Sequence, residues 1–157
     1  MTDEFNDYEI DFDSTAKIVV GVDGSDAANQ ALYWAVKESR LRKATVIVVH
    51  AWEYPALAYG AYPNEALDLE TGGNEILAKA VALGHSIDPD ALISTVLKEG
   101  NPVVILAHEA KDTDLLVVGS RGHGGFTSLV LGSVSSQLAH HAKVPLVIVH
   151  NRKTTAN

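Results

Sequence analysis

Apolar residues in this chain fall into short runs separated by stretches with helical spacing. Lys17–Val22 is a β-branched apolar run that ends in a glycine-containing turn, and it predicts a first strand. From about Asp26 to Arg42, Ala28, Leu32, Ala35 and Val36 share one helical face. Ser25 suits the cap of that helix and Asp26 its first turn. Thr45–Ala51 predicts a second strand. Residues 53–64, with Pro55, Gly60 and Pro63 among tyrosines and alanines, predict a loop. Glu65 to about Gly84 has a helical composition, but Gly72-Gly73 predicts a break or mobility in its middle. Leu92–Leu97 reads as a third strand. Asn101-Pro102 gives a cap residue followed by proline at the first helical position, and that helix runs to about Ala110. Leu115–Val118 is a fully apolar fourth strand. A glycine-rich loop, a helix from Ser133 to His141 and a fifth strand, Val144–Val149 with Pro145 near its start, complete the series.

Strands apolar on both faces and separated by helices predict an α/β fold. The expected form is a single-domain, Rossmann-like parallel five-stranded sheet with helices on both faces. Ligands of such sheets collect at the carboxyl ends of the strands, where the strand order reverses. Two glycine-bearing loops leave apolar strands at such ends, Gly21–Ser25 and Gly119–Gly125. The expected division is an acidic, disordered extension at residues 1–14, a folded domain at 15–150 and a polar tail at 151–157. The extension has no period sustained over its length, although Phe5, Tyr8, Ile10 and Phe12 give it apolar points for docking on the domain or a partner.

Composition narrows the function classes. A chain of 157 residues, 46% of them hydrophobic, fits one domain with a proper core. A formal net charge of −8 argues against general nucleic-acid binding and against anionic membranes. There are no cysteines, hence no disulfide framework, thiolate chemistry or cysteine-based zinc site. The acidic start is unlike a secretory leader and no apolar run approaches the ~18 residues of a membrane span, so a cytoplasmic location is expected.

The seven histidines form no HExxH motif, and helix-end or surface roles are expected of them rather than metal binding. Asp88, Asp90, Asp112 and Asp114 have the look of turn residues. No GxSxG elbow accompanies the serines.

The chemistry concentrates in Gly119-Ser120-Arg121-Gly122-His123-Gly124-Gly125 and in Gly132-Ser133-Val134-Ser135-Ser136. Glycines let a backbone approach a phosphate closely, and a loop entering a helix points free N–H groups and the positive dipole end at an anion. Arg121 adds a charge, and Ser133, Ser135 and Ser136 add hydroxyls. No Gly-Lys-Ser/Thr follows, so this is not a Walker A loop, and it is not the GxGxxG of a first βα turn. The alternative is a loop whose glycines only permit a turn. In Gly21-Val22-Asp23-Gly24-Ser25, the Asp23 carboxylate suits a ribose hydroxyl or Mg²⁺; the alternative is a residue that caps the next helix. Trp52 borders the same region or simply packs.

The spacing Gly119-x2-Gly122-x9-Gly132-Ser133 resembles the phosphate-binding signature of the universal stress protein family, in its ATP-binding branch. Ile18-Val19-Val20-Gly21-Val22-Asp23-Gly24-Ser25, Val48-Val49-His50-Ala51, Gly100-Asn101-Pro102 and Val144-Pro145-Leu146-Val147-Ile148-Val149 support it in the family's order. The resemblance covers about residues 16–150 and implies an adenine nucleotide alpha hydrolase-like fold that binds ATP, with Mg²⁺ as a companion of the nucleotide. Gly119, Gly122, Gly132 and Ser133 would contact phosphates, with Ser120 to Gly125, Val134 and Ser135 lining the site. Asp23 would face ribose or the phosphate–metal region beside Gly21 and Val22, and Ala51 would offer its backbone to adenine. A homodimer through Val144–Val149 and a regulatory role in a stress or dormancy response are also implied. A slow ATPase or nucleotidyl-transfer enzyme, and a dimeric module without nucleotide, remain open beside this reading.

Overall fold

The computed structural model describes residues 15–54, 63–122 and 131–151. The acidic segment 1–14, the tail from residue 152, and His123, Gly124 and Gly125 of the glycine-rich segment lie outside the described residues. Five strands and four helices alternate: β1 (Lys17–Gly21), α1 (Asp26–Arg42), β2 (Thr45–Trp52), α2 (Pro63–Ile87), β3 (Ile93–Glu99), α3 (Pro102–Glu109), β4 (Leu115–Gly119), α4 (Ser133–His141) and β5 (Leu146–Val149). They form one sheet of order β3-β2-β1-β4-β5, and every pairing is parallel.

Alternation along the central strands sorts the core into two layers. Ile18, Val20, Val46, Val48, Leu115 and Val117 face α1 and α2, with Leu32, Val36 and Leu77 packed on them. Val19, Val49, Leu116 and Val118 face the opposite layer, with Leu106 and Leu138 from α3 and α4. Right-handed crossovers require this division: the two connections on the β2 side cover one face and the two on the β4 side cover the other.

The helix starts follow from their cap residues. The Ser25 hydroxyl accepts the Ala28 N–H at 3.2 Å, and the Asn101 side chain accepts the N–H groups of Val103 and Val104. Two expectations are corrected. First, α2 has no break at Gly72-Gly73 and continues to Ile87. A Cβ on Gly73 would stand 2.7 Å from Leu97 Cδ1 and 3.1 Å from His50 Cδ2, so this glycine lets the helix lie close on β2 and β3. Second, β5 begins at Leu146 rather than Val144. Pro145 has no N–H to give and contributes only its carbonyl, which accepts from Leu116 N–H at 2.9 Å. Among the described residues no helix is long and apolar enough to cross a membrane.

Candidate functional site

The strand order reverses between β1 and β4, and the carboxyl ends of these neighbours open into a cleft of about 240 Å³. Its two walls are the β1–α1 turn and the β4–α4 connection.

Gly21, Val22 and Asp23 form the first wall. Val22 lies just past the end of β1, yet its backbone is held on both sides. Its N–H donates to the Val49 carbonyl at 2.9 Å, and its carbonyl accepts from His50 Nδ1–H at 2.8 Å. Gly24 then takes φ 82°, the left-handed conformation that tightens the turn. Asp23 Oδ1 accepts both the Ser25 N–H, at 2.9 Å, and the Ser25 hydroxyl. Ser25 therefore caps α1 and orients Asp23 with one side chain, and the cap of α1 is Ser25 rather than Asp23. Asp23 Oδ2 accepts no hydrogen bond among the described residues and faces Gly122 across the cleft. A Cβ on Gly122 would come within 2.6 Å of it.

The second wall is built almost wholly from backbone. Gly119 packs on the start of α1: a Cβ there would stand 2.7 Å from the Ala27 carbonyl carbon. Ser120, 4% exposed, is not among the residues that line the cleft. Its N–H donates to the Val149 carbonyl, and its own carbonyl accepts from Gly132 N–H at 2.6 Å and from the Ser135 hydroxyl at 2.9 Å. These bonds bring the far end of the loop back to its beginning. They also commit the Ser135 hydroxyl, which lies within 3.2 Å of the Gly132 carbonyl as well. Gly132 is the N-cap of α4 and supplies no side-chain cap. The first-turn N–H groups of Ser133, Val134 and Ser135 have no partner within the helix, and they stand at its positive end beside the cleft. Arg121 and Gly122 complete this wall.

The floor is apolar. Ala51, which the sequence suggested, is joined by Ala28, Val49, Pro102, Leu106 and Val118, which it did not. Register was the available signal: Val49 pairs with Gly21, and Val118 directly precedes Gly119. The structure thus brings together Gly21, Val22, Asp23, Ala51, Gly119, Arg121, Gly122, Gly132, Ser133, Val134 and Ser135 around one space.

Residues set aside in the sequence have structural partners. Trp52 closes β2 opposite Glu99 and is not among the lining residues. Asp88 bonds the Asp90 N–H, and Asp114 bonds the Lys17 N–H at the start of β1. His85 and His140 bond backbone carbonyls near helix ends. His50 departs from the expected helix-end or surface role, since it is half-buried in a strand. No group of three or more metal-ligating side chains occurs among the described residues. Outside the cleft, the Lys98 ammonium bonded to Glu109 holds that carboxyl below its ordinary range, with His108 adding to the effect.

A family model described as the universal stress protein family matches residues 15–150. A universal stress protein of Mycolicibacterium smegmatis is 34% identical over 144 residues, which are 89% of this chain and 47% of that protein. The chain spans about half the length of the curated relatives it matches. Among solved structures, a universal stress protein in complex with cAMP is 28% identical, with TM-score 0.66 over 87% of this chain and 98% of the other. The universal stress protein of Archaeoglobus fulgidus in complex with dAMP is 26% identical, with TM-score 0.66 over 85% of this chain and 97% of the other.

Proposed function

We propose that this chain, which belongs to the universal stress protein family, binds an adenine nucleotide in the cleft between β1 and β4, with ATP and its Mg²⁺ as the ligand. One observation carries the reading. The uncapped start of α4 faces Asp23 Oδ2, which accepts no hydrogen bond among the described residues, across Gly122 and over an apolar floor. That arrangement supplies, in order, N–H donors for phosphate, an acceptor for a hydroxyl or a metal, and an apolar bed for a base. The related structures in complex with cAMP and dAMP support the adenine part of it.

In this reading the α4 N–H groups, Ser133, Gly119 and Gly122 meet phosphates, and Arg121 offsets part of their charge. Asp23 takes a ribose hydroxyl or shares Mg²⁺ with phosphate oxygens. Ala51 gives backbone groups to adenine. The family resemblance assigns His123, Gly124 and Gly125 to the lining of the site, and Ser120 and Ser135 hold the shape of the phosphate side.

Calorimetric titration with ATP, AMP and cyclic AMP, with and without Mg²⁺, tests the reading. Saturable binding below millimolar is expected, and its absence for every nucleotide sinks the proposal. The role is regulatory, in a stress or dormancy response, with occupancy biasing conformation or partner contacts. The lining holds no lysine and Asp23 as its carboxylate among the described residues, which suits binding better than turnover. ADP release that is fast and abolished by Asp23→Asn would replace this with an enzymatic role. We further propose that β5, a half-buried strand at the sheet edge, pairs with its copy in a homodimer. A monomeric mass by light scattering would exclude that pairing.

A further inference from the structure

We infer that His50, outside the cleft, is a positioning residue that fixes the shape of its β1 wall. The starting point is the Val22 carbonyl. β1 ends at Gly21, so this carbonyl has passed beyond the ladder that satisfies the strand. Val22 is nevertheless only 6% exposed, and a buried carbonyl without a donor is costly. The donor comes from the neighbouring strand as a side chain, His50 Nδ1–H at 2.8 Å. The N–H of the same residue is tied to the Val49 carbonyl. Two successive β2 residues therefore grip Val22, one with its backbone and the other with its ring.

The ring is itself held in place. Even-numbered residues of β2 face α1 and α2, and His50 lies under α2 at Gly73. A Cβ on Gly73 would come within 3.1 Å of His50 Cδ2, so the glycine provides the clearance in which the imidazole sits. In the neutral ring the proton on Nδ1 leaves Nε2 without one, which fixes the tautomer. The consequence falls on the next residue. The Val22 carbonyl belongs to the peptide plane shared with Asp23, so releasing it lets that plane rotate and redirects the Asp23 carboxylate. His50 thus governs a wall it does not touch the ligand from. The binding part of this inference rests on the adenine-nucleotide reading, whereas the hydrogen-bonding part does not.

The test uses the full chain and two measurements. Amide hydrogen exchange of residues 22–25 is followed without nucleotide, and AMP and pyrophosphate affinities are measured by calorimetry. His50→Leu should speed exchange at residues 22–25 about tenfold, the scale of one lost buried hydrogen bond, and leave α4 amides unchanged. It should weaken AMP about tenfold and leave pyrophosphate unaffected, because the α4 wall is intact. His50→Asn, whose amide N–H takes the place of Nδ1–H, should keep both quantities within about threefold of the original. Gly73→Ala keeps His50 but places a methyl 2.7 Å from Leu97 Cδ1 and 3.1 Å from the His50 ring, and should reproduce the exchange change. This variant decides the matter if the leucine variant does not fold. Unchanged exchange at residues 22–25, or equal defects in the leucine and asparagine variants, overturns the inference. A parent chain that binds no AMP overturns the nucleotide reading instead, and the exchange measurement still decides His50.

Discussion

The two walls of the cleft reach a fixed shape by different means. In the β1 wall, side chains do the holding: His50 takes the Val22 carbonyl, and Ser25 takes Asp23. In the β4 wall, closeness of backbone does it. Gly119 lies against Ala27, Gly132 N–H reaches the Ser120 carbonyl at 2.6 Å, and Ser135 adds one hydroxyl. The first design presents an oriented carboxylate. The second presents bare N–H groups, which a side chain would cover. In the proposed reading a sugar and an anion call on different walls, and each wall should fail in its own way.

The largest expected break is Gly119→Ala. Its methyl meets backbone rather than a yielding side chain, so overpacking should cost about 2–3 kcal/mol. A urea midpoint lowered without change in slope would show it, and an unchanged midpoint would deny the close contact. Next is Gly122→Val, on the cleft face. Its side chain should collide with Asp23 Oδ2 and reduce nucleotide affinity more than tenfold, about 1.4 kcal/mol, with little loss of stability. Titration calorimetry alongside thermal melting separates the two effects. Equal loss in both would blur the contrast between the packing glycine and the cleft glycine.

Ser25→Ala should cost about 1 kcal/mol as a lost helix cap and should also loosen Asp23. Replacement by Asp, another good cap, should recover stability in a melt while placing a second negative charge beside Asp23, so affinity should not recover. The smallest effect lies away from both walls, at the Lys98–Glu109 pair joining β3 to α3. Because the Glu109 pKa is lowered by folding, the stability it adds is present above the ordinary glutamate range and is lost as pH falls through the lowered value. The pair is partly exposed, so the loss should be about 0.5 kcal/mol or less. Glu109→Gln should flatten that part of an acid-stability profile and leave both walls as they were.

Much of this was legible in the chain. The cap signal at Ser25 and the apolar face of α1 marked Asp26–Arg42, and Asn101-Pro102 marked the start of α3. The β4 wall of the cleft was visible because glycines and serines gather at the carboxyl end of an apolar strand. Three things were hidden, for different reasons. Gly72-Gly73 suggested a break, because propensity does not register that a missing Cβ can be demanded by His50 and Leu97 from the two strands beneath the helix. The floor residues Val49, Leu106 and Val118 read as core, since apolar residues look alike in sequence whether they bury or line a cleft. His50 carried no local pattern, because its partner, the Val22 carbonyl, is a backbone atom 28 residues away.

The contact between Gly119 and Ala27 has a mechanical consequence. It joins the end of β4 to the first turn of α1, which is the helix that follows the other wall. The two strands that frame the cleft are therefore braced against spreading, like two beams sharing one bolt. By contrast, α4 packs on α3 and β5. On the proposed reading, an occupied cleft would be felt through α4 at α3 and β5, and that face is where a partner would read it.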